Sequence, residues 1–168
     1  VEGSAAEVAS AKVRVYGKAQ NRTALGIVHA YMIMYPHATL DDLRKAFPNE
    51  LNPDKGTKEN FIPANEKNTD PNWDGYFRGD DELLVMGDSQ KVSVVKMWTK
   101  PSYERIINHA IQFDIEVESI ESLKLDDRKK GFCIEYLNGY TPKGLCQQKH
   151  GSNFICTLIR FIKRLFSK

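Results

Sequence analysis

The sequence lacks any apolar run approaching the roughly 20 residues that a membrane-spanning helix requires. Its first residues also lack the basic region, apolar core and cleavage site of a signal peptide. Cysteine is scarce, because only Cys133, Cys146 and Cys156 occur among 168 residues. An odd cysteine count in a chain long enough to fold without disulfides fits a reducing compartment. These absences predict a soluble protein of the cytoplasm.

Signatures of covalent catalysis and nucleotide binding are missing as well. The chain contains no G-x-S-x-G nucleophile elbow and no glycine-rich loop of the kind that holds phosphates. Twelve residues separate Cys133 from Cys146, whereas structural zinc sites usually include a closely spaced cysteine pair. Cys133 and Cys156 lie among apolar residues and are predicted to be buried. We expect no cofactor and no metal, and a non-enzymatic role is favoured.

One acidic pattern resembles the opening of a calcium-binding loop. Asp70, Asn72, Asp74 and Gly75 follow the spacing D-x-N-x-D-G, in which alternate oxygens wrap a hard cation. The twelfth position is Asp81 instead of the glutamate that binds through both oxygens. A plain turn is therefore the favoured interpretation.

A second acidic pattern supports an alternative function. Asp114, Glu116 and Glu118 alternate along a predicted strand and should share one of its faces. Three such carboxylates suit a metal-dependent hydrolase or nuclease. They also suit a solvated outer face opposite the apolar Ile115 and Val117. This second interpretation is favoured, because half-exposed strands commonly have this pattern.

Apolar periodicity in the first third predicts a strand followed by two helices. Residues 12–16 alternate as a strand does, and residues 23–35 carry apolar side chains at helical spacing. Thr23 is the predicted N-cap of that helix. A shorter helix at residues 39–47 should begin at the cap Thr39.

The middle of the chain predicts a polar connection, then a hairpin, a helix and a strand. Residues 49–75 are rich in Asn, Asp, Lys and Glu, and we expect a long loop there. Two β-rich segments surround a tight turn within residues 82–98. Pro101 suits the first turn of a helix that ends before Phe113, and a strand follows.

Near the end of the chain, alternation in residues 132–136 before Asn138 and Gly139 predicts a second hairpin. Residues 154–168 have the pattern of a basic amphipathic helix. The predicted class is α+β, with a lead-in, a main domain and a basic terminal region of hairpin and helix. Their predicted bounds are residues 1–10, 11–125 and 126–168.

Residues 75–120, GYFRGDDELLVMGDSQKVSVVKMWTKPSYERIINHAIQFDIEVESI, resemble a bacterial α+β module of unknown function. The resemblance extends over roughly residues 12–120 and implies a helix pair, a hairpin with a tryptophan, a helix and a strand. It implies no activity and no catalytic residue. Its most recognisable positions are Phe77, Asp81, Leu83, Trp98, Ile106, His109 and Ile115.

Charge is distributed unevenly along the chain. The net charge is +2, but residues 1–127 carry 15 basic and 21 acidic side chains, whereas residues 128–168 carry 9 basic and 1 acidic. A basic segment of this kind either contacts an anionic partner or packs against the acidic body of its own domain.

These patterns favour a binding or regulatory module that contacts nucleic acid or an anionic protein surface through its basic C-terminal third. Phe132, Tyr136 and Tyr140 are aromatic candidates for base stacking. The alternatives are the metal-dependent hydrolase or nuclease and a protein-interaction module that docks through its terminal helix. The sequence leaves the oligomeric state open. The predicted nucleic-acid-binding residues are Arg128, Lys129, Lys130, Lys143, Lys149, Arg160, Lys163 and Arg164.

Overall fold

A computed structural model describes residues 10–67, 73–119 and 131–143 of the chain. These residues form a mixed α+β fold, as predicted, with three α-helices and two small sheets. In chain order the elements are β1 (Val13–Gly17), α1 (Gln20–Met34), α2 (Leu40–Ala46), a 3₁₀ turn (Asn49–Leu51), β2 (Phe61–Pro63), β3 (Leu84–Val85), β4 (Lys91–Val94), α3 (Lys100–Ala110), a second 3₁₀ turn (Ile111–Phe113), β5 (Ile115–Ser119) and β6 (Phe132–Tyr136). None of these helices is long and apolar enough to cross a membrane.

The first sheet is built around β1, which pairs in parallel with β5 and antiparallel with β6. Val15 lies opposite Val117 on one side and Ile134 on the other. Because side chains alternate along a strand, the apolar members of all three strands share one face, and α1 packs against that face. Gly26 allows this close approach, since a Cβ there would lie 2.7 Å from Val15 Cγ1.

The first helix begins three residues earlier than its predicted cap. Ala19 occupies the N-cap position and makes no side-chain hydrogen bond there. Thr23 instead lies inside the first turn, and its hydroxyl donates to Ala19 O at 2.9 Å. The first residues of the helix are polar and partly exposed, so the apolar period begins after the helix does. At its other end the helix stops before Pro36, as predicted.

The second helix has the predicted cap. Thr39 Oγ1 accepts from the backbone N–H of Asp42 at 3.3 Å, and Asp42 Oδ2 accepts from the backbone N–H of Thr39 at 3.0 Å. These two bonds form a capping box. The pKa of Asp42 lies below its usual value. The main cause is the hydrogen bond from the Thr39 backbone, and the second is the hydrogen bond from the Thr39 hydroxyl.

The prediction of a plain loop at residues 49–75 is wrong for its first half. The 3₁₀ turn Asn49–Leu51 and strand β2 lie there, and Phe61 of β2 pairs with Val94 of β4. Three polar residues of this segment, Asn52, Lys55 and Asn60, are buried. Asn49 Oδ1 accepts from Asn60 N–H at 2.8 Å, and Lys55 Nζ donates to Asn52 O at 3.0 Å.

The predicted hairpin is present as β3 and β4, which are antiparallel within a second sheet of order β2-β4-β3. Its turn is fixed against the segment before α2. Gly87 N–H donates to Ala38 O at 2.8 Å, and a Cβ on Gly87 would lie 2.4 Å from His37 O. Only glycine fits this approach of two backbones without a shift.

In the third helix Pro101 lies in the first turn, as predicted, and Thr99 is the N-cap. After the second 3₁₀ turn, Asp114 adopts a left-handed backbone with φ 59° and leads into β5. The first half of the predicted C-terminal hairpin is also present, because β6 ends at a turn where Asn138 and Gly139 have φ 51° and 72°. Its returning strand is not found in residues 140–143, and the terminal helix predicted at residues 154–168 lies outside the described residues.

Cys133 is buried, as predicted, while Cys146 and Cys156 lie outside the described residues. Apolar side chains from both sheets and all three helices form one core. Leu25, Leu43, Phe47, Phe61 and Phe77 are among its largest fully buried members. This core continues into an aromatic cluster where α1, α2 and α3 end close together.

Candidate functional site: an aromatic groove

The aromatic cluster is centred on Tyr31, whose ring is only 7% exposed. Tyr35 lies one turn further along α1, with its ring centroid 4.7 Å from that of Tyr31. Phe113 meets Tyr31 edge-on at 5.1 Å, and Phe47 does so at 5.3 Å. Edge-on and tilted pairs at these separations are favourable aromatic arrangements. The cluster therefore fixes the end of α1 relative to the residues that follow α2 and α3.

A groove of about 750 Å³ opens beside this cluster. The end of α1 with the turn after it forms one wall, α2 forms another, and the end of α3 with its 3₁₀ turn completes the groove. Tyr35 lies in the lining and remains 44% exposed, in contrast to the buried Tyr31. The groove therefore offers one accessible aromatic ring on a rigid aromatic base. This size and lining are typical of sites for small organic groups.

Two lysines belong to the groove. Lys45 comes from the last turn of α2, and Lys143 follows the turn after β6. The acidic group among the lining residues is Asp42, whose carboxylate accepts hydrogen bonds from Thr39 as part of the capping box. Lys12 lies near Tyr35 as well and forms an ion pair of 3.0 Å with Asp114. The hydrogen bond and charge of Asp114 raise the pKa of Lys12.

His109 and Gln112 form a hydrogen-bonded pair at the end of α3. His109 Nε2 lies 2.5 Å from Ala46 O, and His109 Nδ1 lies 3.0 Å from Gln112 Nε2. The Gln112 amide nitrogen also donates to His109 O at 3.0 Å. The imidazole packs against the rings of Phe47 and Phe113. His109 is half-buried in the last turn of α3.

Of the predicted nucleic-acid-binding residues, the described part of the chain includes Lys143, which lies in this groove. The remainder lie outside the described residues: Arg128, Lys129, Lys130, Lys149, Arg160, Lys163 and Arg164. The three candidate stacking residues differ in how far they are buried. Phe132 is 6% exposed and packs against His29, so it does not present a face for stacking. Tyr136 and Tyr140 meet edge-on at 6.1 Å and are half-buried.

Of the three acidic residues of the alternative metal site, Glu116 and Glu118 lie within β5 and share one of its faces. Asp114 precedes β5 in a left-handed conformation and pairs with Lys12. Glu116 Oε1 is 2.6 Å from Arg14 Nε and 2.5 Å from Arg14 Nη2. Glu118 is exposed. Within residues 10–67, 73–119 and 131–143, no cluster of three or more His, Cys, Asp or Glu side chains is arranged to hold a metal ion.

The calcium-like pattern is engaged in a different interaction. Both carboxylate oxygens of Asp74 accept from the Arg78 guanidinium, at 2.9 and 3.3 Å. This hydrogen bonding with Arg78 holds the pKa of Asp74 below its usual value. Asp70 and Asn72 lie outside the described residues.

The opposite face of the first sheet contains a polar network that the sequence did not predict. Arg14 and Tyr16 of β1 lie between Glu116 of β5 and Glu135 of β6. Tyr16 donates to Glu135 Oε2 at 2.6 Å and accepts from Arg14 Nη1 at 3.4 Å. Burial and the bond to Glu135 raise the pKa of Tyr16.

We compared the chain with protein-family models, curated proteins and solved structures, and none gave a significant match. The groove combines an exposed aromatic ring, two lysines and a hydrogen-bonded amide.

Proposed function

We propose that this protein is a non-enzymatic module that binds single-stranded nucleic acid, with a base in the aromatic groove and phosphates near Lys45 and Lys143. The observation that carries this proposal is the exposed ring of Tyr35 in a groove of about 750 Å³ that also contains both lysines. A planar ligand with attached negative charge complements this combination.

Single strands suit the groove better than duplexes. Both faces of a base are covered in a double helix, whereas an unpaired base has a face free to stack on an aromatic ring. Such stacking contributes about 1–3 kcal/mol per base and tolerates any base. Lysines near the stacking site then neutralise phosphates and release bound counterions.

The sequence of the C-terminal third adds further basic residues to this proposal. Residues 128–168 carry 9 basic and 1 acidic side chains, and Lys143 connects this segment with the groove. We propose that the bound nucleic-acid strand continues from the groove and contacts these basic residues. The scarcity of cysteine supports the cytoplasm as the compartment in which the protein meets its ligand.

The stacking step is tested by fluorescence anisotropy with labelled single strands of RNA and DNA, about 12 nucleotides long, within the range of site sizes that single-strand-binding folds cover. Tyr35→Ala should weaken binding about 5- to 150-fold, the loss expected for one stacked base. Tyr103→Ala is the matched control, because Tyr103 is a partly exposed tyrosine of α3 outside the groove. Equal losses in the two variants would argue against the groove as the binding site.

The phosphate step is tested by the salt dependence of the same binding. Each phosphate neutralised on a single strand contributes a slope of about −0.7 in a plot of log affinity against log salt. Lys45→Ala and Lys143→Ala should each make this slope shallower by about that amount. Lys91→Ala is the control, since Lys91 is exposed on β4 and lies outside the groove. The proposal would be refuted if none of the RNA or DNA single strands showed salt-sensitive binding.

A further inference from the structure

The hydrogen bonds of His109 fix which of its ring nitrogens carries the hydrogen. His109 Nε2 lies 2.5 Å from Ala46 O. A carbonyl oxygen only accepts hydrogen bonds, so Nε2 must be the donor. Ala46 is the last residue of α2, and its carbonyl has no partner within the helix. In the neutral ring, Nδ1 is therefore an acceptor.

The orientation of the Gln112 amide follows from that tautomer. Its Nε2 lies 3.0 Å from His109 Nδ1 and 3.0 Å from His109 O, two acceptors that use both amide hydrogens. In a flipped amide, Oε1 of Gln112 would face the lone pair of His109 Nδ1 and the carbonyl oxygen of His109. Both contacts would be repulsive, because they place two acceptors together. The backbone carbonyl of Ala46, acting through the imidazole, and the backbone carbonyl of His109 thus together set the direction of the Gln112 amide.

This orientation leaves Oε1 as the part of the amide that is available to a ligand. Gln112 is exposed and lines the groove, and its Oε1 accepts no hydrogen bond from the described residues. A ligand edge that meets Gln112 therefore encounters an acceptor. An exocyclic amino group supplies the matching donor, whereas a carbonyl oxygen at the same position would place two acceptors together.

We infer that Gln112 makes the groove selective for adenine and cytosine over hypoxanthine and uracil, which have an oxygen in place of the exocyclic amino group. This inference rests on the proposed function, since it specifies which base occupies the groove. Tyr35 accepts any base, because every base has an aromatic face. Gln112 supplies the discrimination, and His109 is a positioning residue that keeps its amide in one orientation.

The test compares labelled RNA single strands that differ only at this group: oligoadenosine with oligoinosine, and oligocytidine with oligouridine. Binding is measured at about pH 8, where imidazoles are ordinarily neutral. We expect about 10-fold tighter binding of each amino-bearing strand, the effect of about one hydrogen bond made or left unmade. Gln112→Met keeps the length of the side chain without the amide. It should reduce the preference to within about 2-fold, because adenine and cytosine lose their acceptor while hypoxanthine and uracil no longer face one.

His109→Phe separates positioning from direct recognition. The phenyl ring retains packing against Phe47 and Phe113 but has no nitrogen to orient the amide. The preference should fall although Gln112 is still present, while melting temperatures report whether each variant remains folded.

The outcomes distinguish this inference from the proposed function. Equal binding of the paired strands, with a loss on Tyr35→Ala, would overturn the selectivity and leave stacking in the groove intact. A preference that persists in Gln112→Met would also overturn it. Failure of every strand to bind would overturn both proposals.

Discussion

Tyr16 donates its hydroxyl hydrogen to Glu135 across 2.6 Å and joins β1 to β6 on the face of the sheet opposite α1. Both side chains are buried, with exposures of 5% and 7%. A buried carboxylate that loses a donor is costly, because water does not replace the bond fully. Tyr16→Phe should lower the free energy of unfolding by about 1–3 kcal/mol.

Urea denaturation of Tyr16→Phe beside Tyr103→Phe measures this effect. Tyr103 lies partly exposed on α3, so loss of its hydroxyl should change stability by less than about 0.5 kcal/mol. Equal stability of the two variants would mean that the bond between Tyr16 and Glu135 contributes nothing net.

Alkaline pH should destabilise the fold through buried tyrosines. Burial is the principal cause that raises the pKa of Tyr16, Tyr31, Tyr76 and Tyr140. A raised pKa in the folded state favours the neutral phenol, so this contribution is complete below the ordinary tyrosine pKa of about 10. It is lost as pH rises through the folded values.

Unfolding free energies measured on both sides of about pH 10, together with the ultraviolet absorbance of phenolate, test this dependence. Tyr76→Phe should flatten the alkaline decline, because Tyr76 is 2% exposed and donates to Glu59 O at 2.9 Å. The expectation would be contradicted if every tyrosine of the native protein had the same pKa as in the unfolded chain.

An acid-sensitive ion pair joins α1 to the turn before β3. Arg22 Nη1 lies 2.5 Å from Glu82 Oε1, and the N–H of Gly79 donates to Glu82 Oε2 at 2.9 Å. Burial alone would raise the pKa of Glu82, but the Gly79 hydrogen bond and the Arg22 guanidinium outweigh it, so the pKa lies below its usual value. The stability from this pair is present above about pH 4.5 and is lost as pH falls through the folded pKa.

Glu82→Gln should cost about 1–3 kcal/mol at neutral pH and make stability less dependent on pH in the acid range. Glu104→Gln provides the matched control, since Glu104 is an exposed residue of α3. Identical acid profiles for Glu82→Gln and the native protein would contradict the assigned role of this carboxylate.

A single methyl group at Gly87 should disrupt the packing of the β3–β4 turn against the segment before α2. A Cβ there would lie 2.4 Å from His37 O, a backbone atom that no rotamer change can move away. We expect Gly87→Ala to destabilise the protein by about 3 kcal/mol, the upper part of the range for overpacking. Gly139→Ala is the comparison, because its Cβ meets nothing within 4 Å and only the φ of 72° carries a cost of about 1–2 kcal/mol. Thermal or urea unfolding should separate the two variants, and equal losses would show that the turn can shift.

Local chemistry explains which parts of the fold could be predicted. Thr39 and Asp42 lie three residues apart and form the capping box that their spacing predicts. Asn138 and Gly139 adopt the positive φ values that this dipeptide favours. In both cases the residues that determine the structure are neighbours in the sequence. The fold class followed from such elements.

Long-range pairing explains what was missed. Strand β2 has three residues and exists because Phe61 pairs with Val94, a partner 33 positions away. The residues before it are mostly polar and gave no apolar pattern, although Asn52, Lys55 and Asn60 are buried and donate to backbone carbonyls. The groove was missed for the same reason. Tyr31 and Tyr35 fit the apolar spacing of the helix predicted at residues 23–35, but the sequence alone does not show that Phe113 and Lys143 meet that helix.

If the bound nucleic-acid strand continues beyond the groove, removing the charge of the basic C-terminal residues should weaken its binding. Lys149, Arg160, Lys163 and Arg164 are changed together to glutamine in the full chain, which removes their positive charge and leaves polar side chains in place. If these residues neutralise phosphates, the salt dependence should become shallower by about 0.7 for each phosphate that is no longer neutralised. Tyr35→Ala should still weaken binding by the same factor in this background, because stacking in the groove is independent of those charges. An unchanged salt slope would restrict the binding surface to the groove and its two lysines.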